Sequence, residues 1–226
     1  MADRSRARLP SEGRPVGKGG RRDLQHVCAD PVQPELFRRQ GPEGRHLCDD
    51  GPGVSANGHS VYLPRERYYD FFSQQEECRA TGVYGLLDSS DYNKGRKAPG
   101  TNTNGSTKPP GMDEIAAQGH VPANGHLIPA AATGSGIDLR NLVAEYEKTN
   151  TPYLNWGVEK EIRAAIKSGK HLQLSVAPHY NRPDSGIPTG IECNYAVLED
   201  GSAEHCVIYQ SPSGGTTTGS ADCPRR

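Results

Sequence analysis

Four residues in the middle of the chain have types and spacing that could do chemistry. They are His126 in Asn124-Gly-His-Leu-Ile-Pro, Asn141 in Asp138-Leu-Arg-Asn-Leu-Val, Asn150, and Glu159. A histidine after a glycine is more often a surface residue than a catalyst, so its company is what counts. Two asparagines and a glutamate follow it around a helix start, with few large apolar residues between. Neutral oxygen ligands at a helix N-terminus suit a hard cation that keeps most of its waters, which selects Mg²⁺ over Zn²⁺. An imidazole, with its pKa at about 6.5, accepts a proton from water when it faces such a cation. The spacing alone leaves a plain surface histidine as the alternative. The tetrapeptide Ala-Asn-Gly-His also occurs at 56–59, where none of the downstream partners follows, and that copy reads as coincidence.

The elements that must position these residues can be read from periodicity. A helix is predicted from about Thr151 to Ser168. Asn150 or Thr151 caps it, Pro152 stands where the first turn tolerates proline, and Leu154, Val158, Ile162, Ala165 and Ile166 line one face. Gly169 stops it. Leu172, Leu174 and Val176 then alternate with polar residues as a half-buried strand. Strands near Gly190–Leu198 and Glu204–Gln210 flank Glu-Asp-Gly-Ser-Ala, a hairpin turn that sets Cys193 opposite or nearly opposite Cys206. Those two cysteines are the disulfide candidates. Upstream, Thr81–Asp88 reads as a strand, followed by a long polar loop holding Arg96 and Lys97. Tyr68, Tyr69, Phe71 and Phe72 suggest core or a hairpin rather than a base-stacking platform. Sheet and helix do not alternate strictly, so the fold class is α+β.

Composition bounds the rest. Only 33% of the 226 residues are hydrophobic, and 27 glycines with 18 prolines demand much turn and loop. The net charge of −1 argues against attachment to nucleic acid by bulk positive charge, though not against a local basic site. Residues 1–60 show no periodicity and carry an Arg-rich start, and read as a disordered or weakly ordered tail. The domain is expected over 61–211, and 212–226 as a second tail. Six cysteines without a C-x-x-C pair point to disulfides and an oxidising compartment rather than to structural zinc. The expected location is therefore extracellular, although the basic start has no apolar stretch of a signal peptide behind it.

The stretch from Gly125-His-Leu-Ile through Arg140-Asn-Leu-Val, the asparagine nine residues on, and the helix glutamate resembles the core of the DNA/RNA non-specific endonucleases of the ββα-metal (His-Me finger) superfamily. The similarity covers about residues 81–200. It implies a ββα-metal nuclease core with a mainly antiparallel sheet, one principal helix and long loops. It implies His126 as the general base, Asn150 as the direct ligand of one divalent ion (Mg²⁺, with Mn²⁺ able to substitute), Glu159 as the holder of metal-bound water, and Asn141 as a supporting residue. DNA and RNA are the implied substrates, cut without regard to sequence and left with 5′-phosphate ends. Ala123-Asn124 stand where the family commonly has Asp-Arg, which puts rate or substrate grip in question. Asn124, Arg96, Arg140 and Arg182 are the candidates for substrate contacts. An immunity or inhibitor protein is the expected partner if the chain is a toxin.

Two other classes compete with an enzyme. One is a catalytically weakened nucleic-acid binder of the same fold; the other is a disulfide-linked surface module. Survival of base, metal ligand and helix glutamate together favours the enzyme.

Overall fold

The computed structural model describes residues 47–95, 107–151 and 157–219. Eleven strands are present among them: β1 (Gly53–Val54), β2 (Ser60–Tyr62), β3 (Glu66–Asp70), β4 (Gln75–Arg79), β5 (Val83–Leu87), β6 (Pro122–His126), β7 (Leu142–Tyr146), β8 (Leu172–His179), β9 (Gly190–Val197), β10 (Ala203–Tyr209) and β11 (Thr216–Gly219). The helical elements are α1 (Ser89–Gly95), α2 (Met112–Ala117), the single turn α3 (Glu147–Thr149) and α4 (Glu159–Lys167).

One antiparallel sheet runs in the order β1-β2-β5-β8-β9-β10-β11, beside two separate hairpins, β3–β4 and β6–β7. Strict alternation in β8 puts Leu172, Leu174 and Val176 into the core and Gln173 outside. The helix α4 covers that core with Ile162 and Ile166, and with Val158 directly before it, packed with Leu87, Ile191 and Ile208. Burying one such aliphatic side chain is worth about 1.5–3 kcal/mol, so the sheet–helix contact is what holds Glu159, at the start of α4, in place. A smaller core of Ile115, Ala144 and Tyr146 packs α2 beneath the β6–β7 hairpin. No helix among the described residues is long and apolar enough to cross a membrane.

The mainly antiparallel α+β layer is as expected, and three expectations are corrected. First, the sheet recruits residues before Ser60. β1 and β2 pair with each other, and β2 with β5, while Cys48 is disulfide-bonded to Cys78. The compact unit runs over Gly44–Arg226. Short two- and three-residue strands carry too little periodicity to read; residues 1–46 lie outside the described residues. Second, Thr216–Gly219 is an edge strand on β10 rather than tail. Third, the stretch after β5 is helical over Ser89–Gly95, with Asp88 accepting the Ser90 N–H at 2.6 Å as a cap. The principal helix is described over Glu159–Lys167, within the expected span, and 152–156, including the expected Pro152 position, lie outside the described residues.

The disulfide expectation splits. Cys193 and Cys206 are register partners across β9–β10, as the turn required, but they are buried thiols and not bridged. Hydrogen bonds at Val197–Ser202 and Thr189–Gln210 set the alternation of the ladder, and by it Cys193–Cys206 is a hydrogen-bonded pair. Side chains stand farther apart at such pairs than at the narrow pairs on either side.

Candidate active site

The β6–β7 hairpin carries the histidine. Pairing runs from Pro122 opposite Tyr146 to His126 opposite Leu142, so His126 sits at the strand end, half-buried. Directly after it the chain leaves the ladder, and Asn141 fixes the exit. This residue is fully buried; its Oδ1 accepts the Ile128 N–H at 2.8 Å, and its Nδ2 donates to Ile128 O at 3.2 Å and Ser135 O at 2.9 Å. The Leu127 N–H also donates to the Asn141 carbonyl at 2.9 Å. Every polar atom of the Asn141 side chain is thus used to hold the loop that follows His126. That is a supporting role, carried by an amide because only an amide both donates and accepts here.

On the opposite face of the hairpin lies a residue that the sequence did not single out. Glu145, in β7, is fully buried, and neither carboxylate oxygen has a hydrogen-bond partner. Its carboxyl lies against Gly125: a Cβ at that glycine would stand 2.2 Å from Oε1. Burial, and then the negative charges of Glu159 and Glu147, push Glu145 well above the ordinary carboxylate range. Glu159 is pushed up to about 7 by burial, against the nearby Arg163 guanidinium at 3.7 Å. Two acids with shifted protonation therefore gather behind the Gly125-His126 strand. An acid inside Leu-Val-Ala-Glu-Tyr gave one signal in the sequence, a single charge in an otherwise apolar strand.

Asn150 follows α3 directly and is half-buried. Its neighbour Thr149 is buried and anchored to Ser211 by hydrogen bonds at 3.3 and 3.4 Å. Thr151 donates to Glu147. The segment bearing Asn150 is therefore pinned on both sides.

The substrate-contact candidates fare differently. Asn124 donates its Nδ2 to Thr107 O at 3.0 Å, so it ties down the end of the segment leading into α2. Arg140 is engaged within the chain: it bonds Asp138 at 2.7–3.2 Å and the carbonyls of Asp50 and Gly51, both at 3.3 Å. Arg182 is exposed, yet paired with Glu114 at 3.1 Å and Asp184 at 3.4 Å. Pairing with a nearby acid two residues away, in both arginines, is what a charge count cannot see. Arg96 and Lys97 lie outside the described residues.

A hard divalent cation with bound waters would relieve the charge that burial disfavours in Glu145, which has no donors, and in Glu159, which has only the Arg163 guanidinium nearby. The structure thus places His126 at the end of β6, Asn150 directly after α3 and Glu159 at the start of α4 of an α+β scaffold. Residues 64–198 match the DNA/RNA non-specific endonuclease family, more than half of the chain, and the chain belongs to that family. It is an endonuclease, a hydrolase of nucleic-acid phosphodiesters.

Solved structures with similar folds include the metal-free NucA nuclease from Streptococcus agalactiae, at 17% identity and TM-score 0.42 over 69% of this chain and 78% of that one. The same nuclease with a magnesium ion bound is 16% identical, with TM-score 0.48 over 77% and 85%. The Sda1 nuclease with a bound zinc ion is 11% identical, with TM-score 0.49 over 77% and 91%. No curated protein matches the chain.

Proposed function

We propose that the chain is an extracellular, sugar- and sequence-non-specific endonuclease that cuts DNA and RNA with His126 as general base and one Mg²⁺, leaving 5′-phosphate ends. The observation that carries this reading is the hairpin: Asn141 spends its whole side chain holding the loop after His126, while the buried Glu145, without donors, lies against Gly125 behind it. His126 takes the proton from the attacking water, at a strand end whose exit the Asn141 amide holds. Asn150 would hold the cation through its amide oxygen, and Glu159 would orient water on it. Bound Mg²⁺ supplies neutralisation of the charge that grows on the phosphate oxygens. Water, rather than a 2′-hydroxyl, is the nucleophile, so the sugar is immaterial; phosphate contacts carry no sequence information. The Cys48–Cys78 bridge suits an oxidising compartment.

The weakened-binder reading draws on one observation: Asn124, at the position of the family's arginine, is committed to Thr107 O. A plasmid-nicking assay decides between the two. Nicking and RNA cleavage in Mg²⁺, abolished by EDTA and leaving ends that ligase accepts, supports the nuclease. Cleavage that persists in chelator, or none at all alongside a salt-sensitive gel shift, overturns it.

A further inference from the structure

Away from the hairpin, His59, Asp88 and Asp91 bring one imidazole nitrogen and two carboxylate oxygens within 4.8 Å of one another. His59 comes from the turn between β1 and β2; Asp88 and Asp91 come from the cap and first turn of α1. Asp91 is fully buried. Its Oδ1 accepts hydrogen bonds from Asn57 Nδ2 and from Thr133 Oγ1, the latter at 3.2 Å. Its Oδ2 accepts the Asp88 N–H at 2.8 Å and stands 3.0 Å from His59 Nδ1.

Three of these four contacts are neutral donors that fix the carboxylate's orientation, as outer partners do around metal ligands. The fourth is exchangeable, since a cation can replace the proton between Nδ1 and Oδ2. A spacing of 3.0 Å also fits two neighbouring ligands each about 2.1 Å from one ion. Asp88 is already oriented by its bond from the Ser90 N–H. Among the described residues, neither carboxylate forms an ion pair with a lysine or arginine; His59 pairs with Asp91, and His171 lies near enough to Asp88 to act on its charge. Asp88 and Asp91 lie close enough to share one ion with His59, and their fixed orientations leave that geometry preformed. The His59 side chain is 36% exposed, which leaves room for water on the remaining positions. One imidazole with two carboxylates suits Zn²⁺ or Mn²⁺ better than Ca²⁺.

We propose that His59, Asp88 and Asp91 form a second divalent-metal site, for Zn²⁺ or Mn²⁺, that staples the β1–β2 turn to the start of α1. It stands whether or not His126 is the base. The test strips the full-length protein with chelator, then titrates Zn²⁺ by calorimetry and records melting curves beside it. Wild type and His126→Ala should both take up a zinc equivalent that raises the melting temperature. His59→Ala and Asp88→Asn should weaken that equivalent by more than about tenfold, the least that losing a ligand costs when losing an outer partner costs 10–100-fold. Asp88→Asn keeps the helix cap, because asparagine caps as well as aspartate, so its failure cannot be blamed on misfolding. Equal zinc binding in all four proteins overturns the proposal. So does an equivalent that disappears in His126→Ala but persists in His59→Ala. A His59→Ala protein that loses the same stability with and without zinc would reduce the cluster to a hydrogen-bonded clasp, and the proposal would fall.

Discussion

The same four residues, Ala-Asn-Gly-His, occur twice and fold in two ways. At 56–59 they form a turn: Gly58 takes φ 82°, its N–H donates to Ser55 O at 2.9 Å, and Asn57 Oδ1 accepts the His59 N–H at 3.2 Å. At 123–126 they lie extended in β6 and pair with β7. Each histidine has a fully buried acid nearby, and the acids differ as much as the backbones do. Asp91 accepts four hydrogen bonds, whereas neither oxygen of Glu145 accepts any. A saturated carboxylate holds its surroundings together. A buried one without donors stores an electrostatic penalty that only a proton or a cation relieves. Identical local sequence therefore carries neither the conformation nor the chemistry; the strand or turn partners supply both.

The largest expected difference between the copies is catalytic. His126→Ala should cut hydrolysis by roughly 10²–10⁴-fold, the usual worth of a positioned base, while His59→Ala leaves the rate in Mg²⁺ unchanged. Initial rates of plasmid nicking measure both. Equal losses in the two variants would mean that the copies had been assigned the wrong way round.

Next in size is the attachment of the first copy to the domain. Cys48 and Cys78 are 30 residues apart, and closing such a loop is worth about 3–4 kcal/mol in the chain-entropy account. A chain starting at Ser60 loses this bridge, the carbonyls that hold Arg140, and two of the four donors to Asp91. Each hydrogen bond to a charged group that is lost costs about 1.5–3 kcal/mol. Such a chain should melt well below one starting at Gly44, and reducing agent should lower only the melting temperature of the longer one. Equal melting temperatures would restore the sequence-based boundary at Ser60.

Much of the second copy's setting was legible in the sequence, and little of the first. Leu172, Leu174 and Val176 announced their strand because one face of it is solvated, and the Gly-His, Asn-Leu-Val and helix-glutamate spacing is short enough to read along the chain. The turn at 55–60 depends on Asp91 and Thr133, which lie 34 and 42 residues from the groups they meet. Contacts at that separation leave no periodicity. Disulfide connectivity is unreadable for the same reason, so Cys193–Cys206 looked better than Cys48–Cys78 only because its partners were close in sequence. The ion pairs of Arg140 and Arg182 were not legible either, because each has an aspartate two positions away that a charge tally counts separately.

The stored penalty behind the second copy should show as a pH dependence. Glu159 binds its proton more tightly folded, at about 7, than unfolded, and Glu145 is shifted the same way. Stability from a raised group is complete below the unfolded carboxylate range and is lost as pH rises through the folded value. The metal-free protein should therefore melt at falling temperatures from about pH 5 to pH 8, by way of carboxylates near about 4.5 unfolded. Glu159→Gln should flatten that slope, and melts in EDTA across the range measure it. A slope that is unchanged in the variant would remove Glu159 as its source.

The two glycines give the smallest and sharpest contrast. A Cβ on Gly125 would fall 2.2 Å from Glu145 Oε1 and 2.5 Å from its Cδ, so Gly125→Ala must displace a fully buried side chain beside the base. Overpacking of this kind costs about 1–3 kcal/mol, and here it also moves the acid that lies against the His126 strand, so the nicking rate should fall with stability. A Cβ on Gly58 would meet nothing within 4 Å; its cost is the left-handed backbone alone, φ 82°. That is about 1 kcal/mol for a residue other than glycine, and asparagine, which tolerates the conformation, should recover part of it. Gly58→Ala should therefore lower the melting temperature slightly, Gly58→Asn less, and neither should touch the rate. Melting curves and nicking rates on the three variants separate packing from backbone strain. If Gly58→Ala cost as much activity as Gly125→Ala, the turn at 55–60 would have to reach the hydrolytic site, and the division between the two copies would fail.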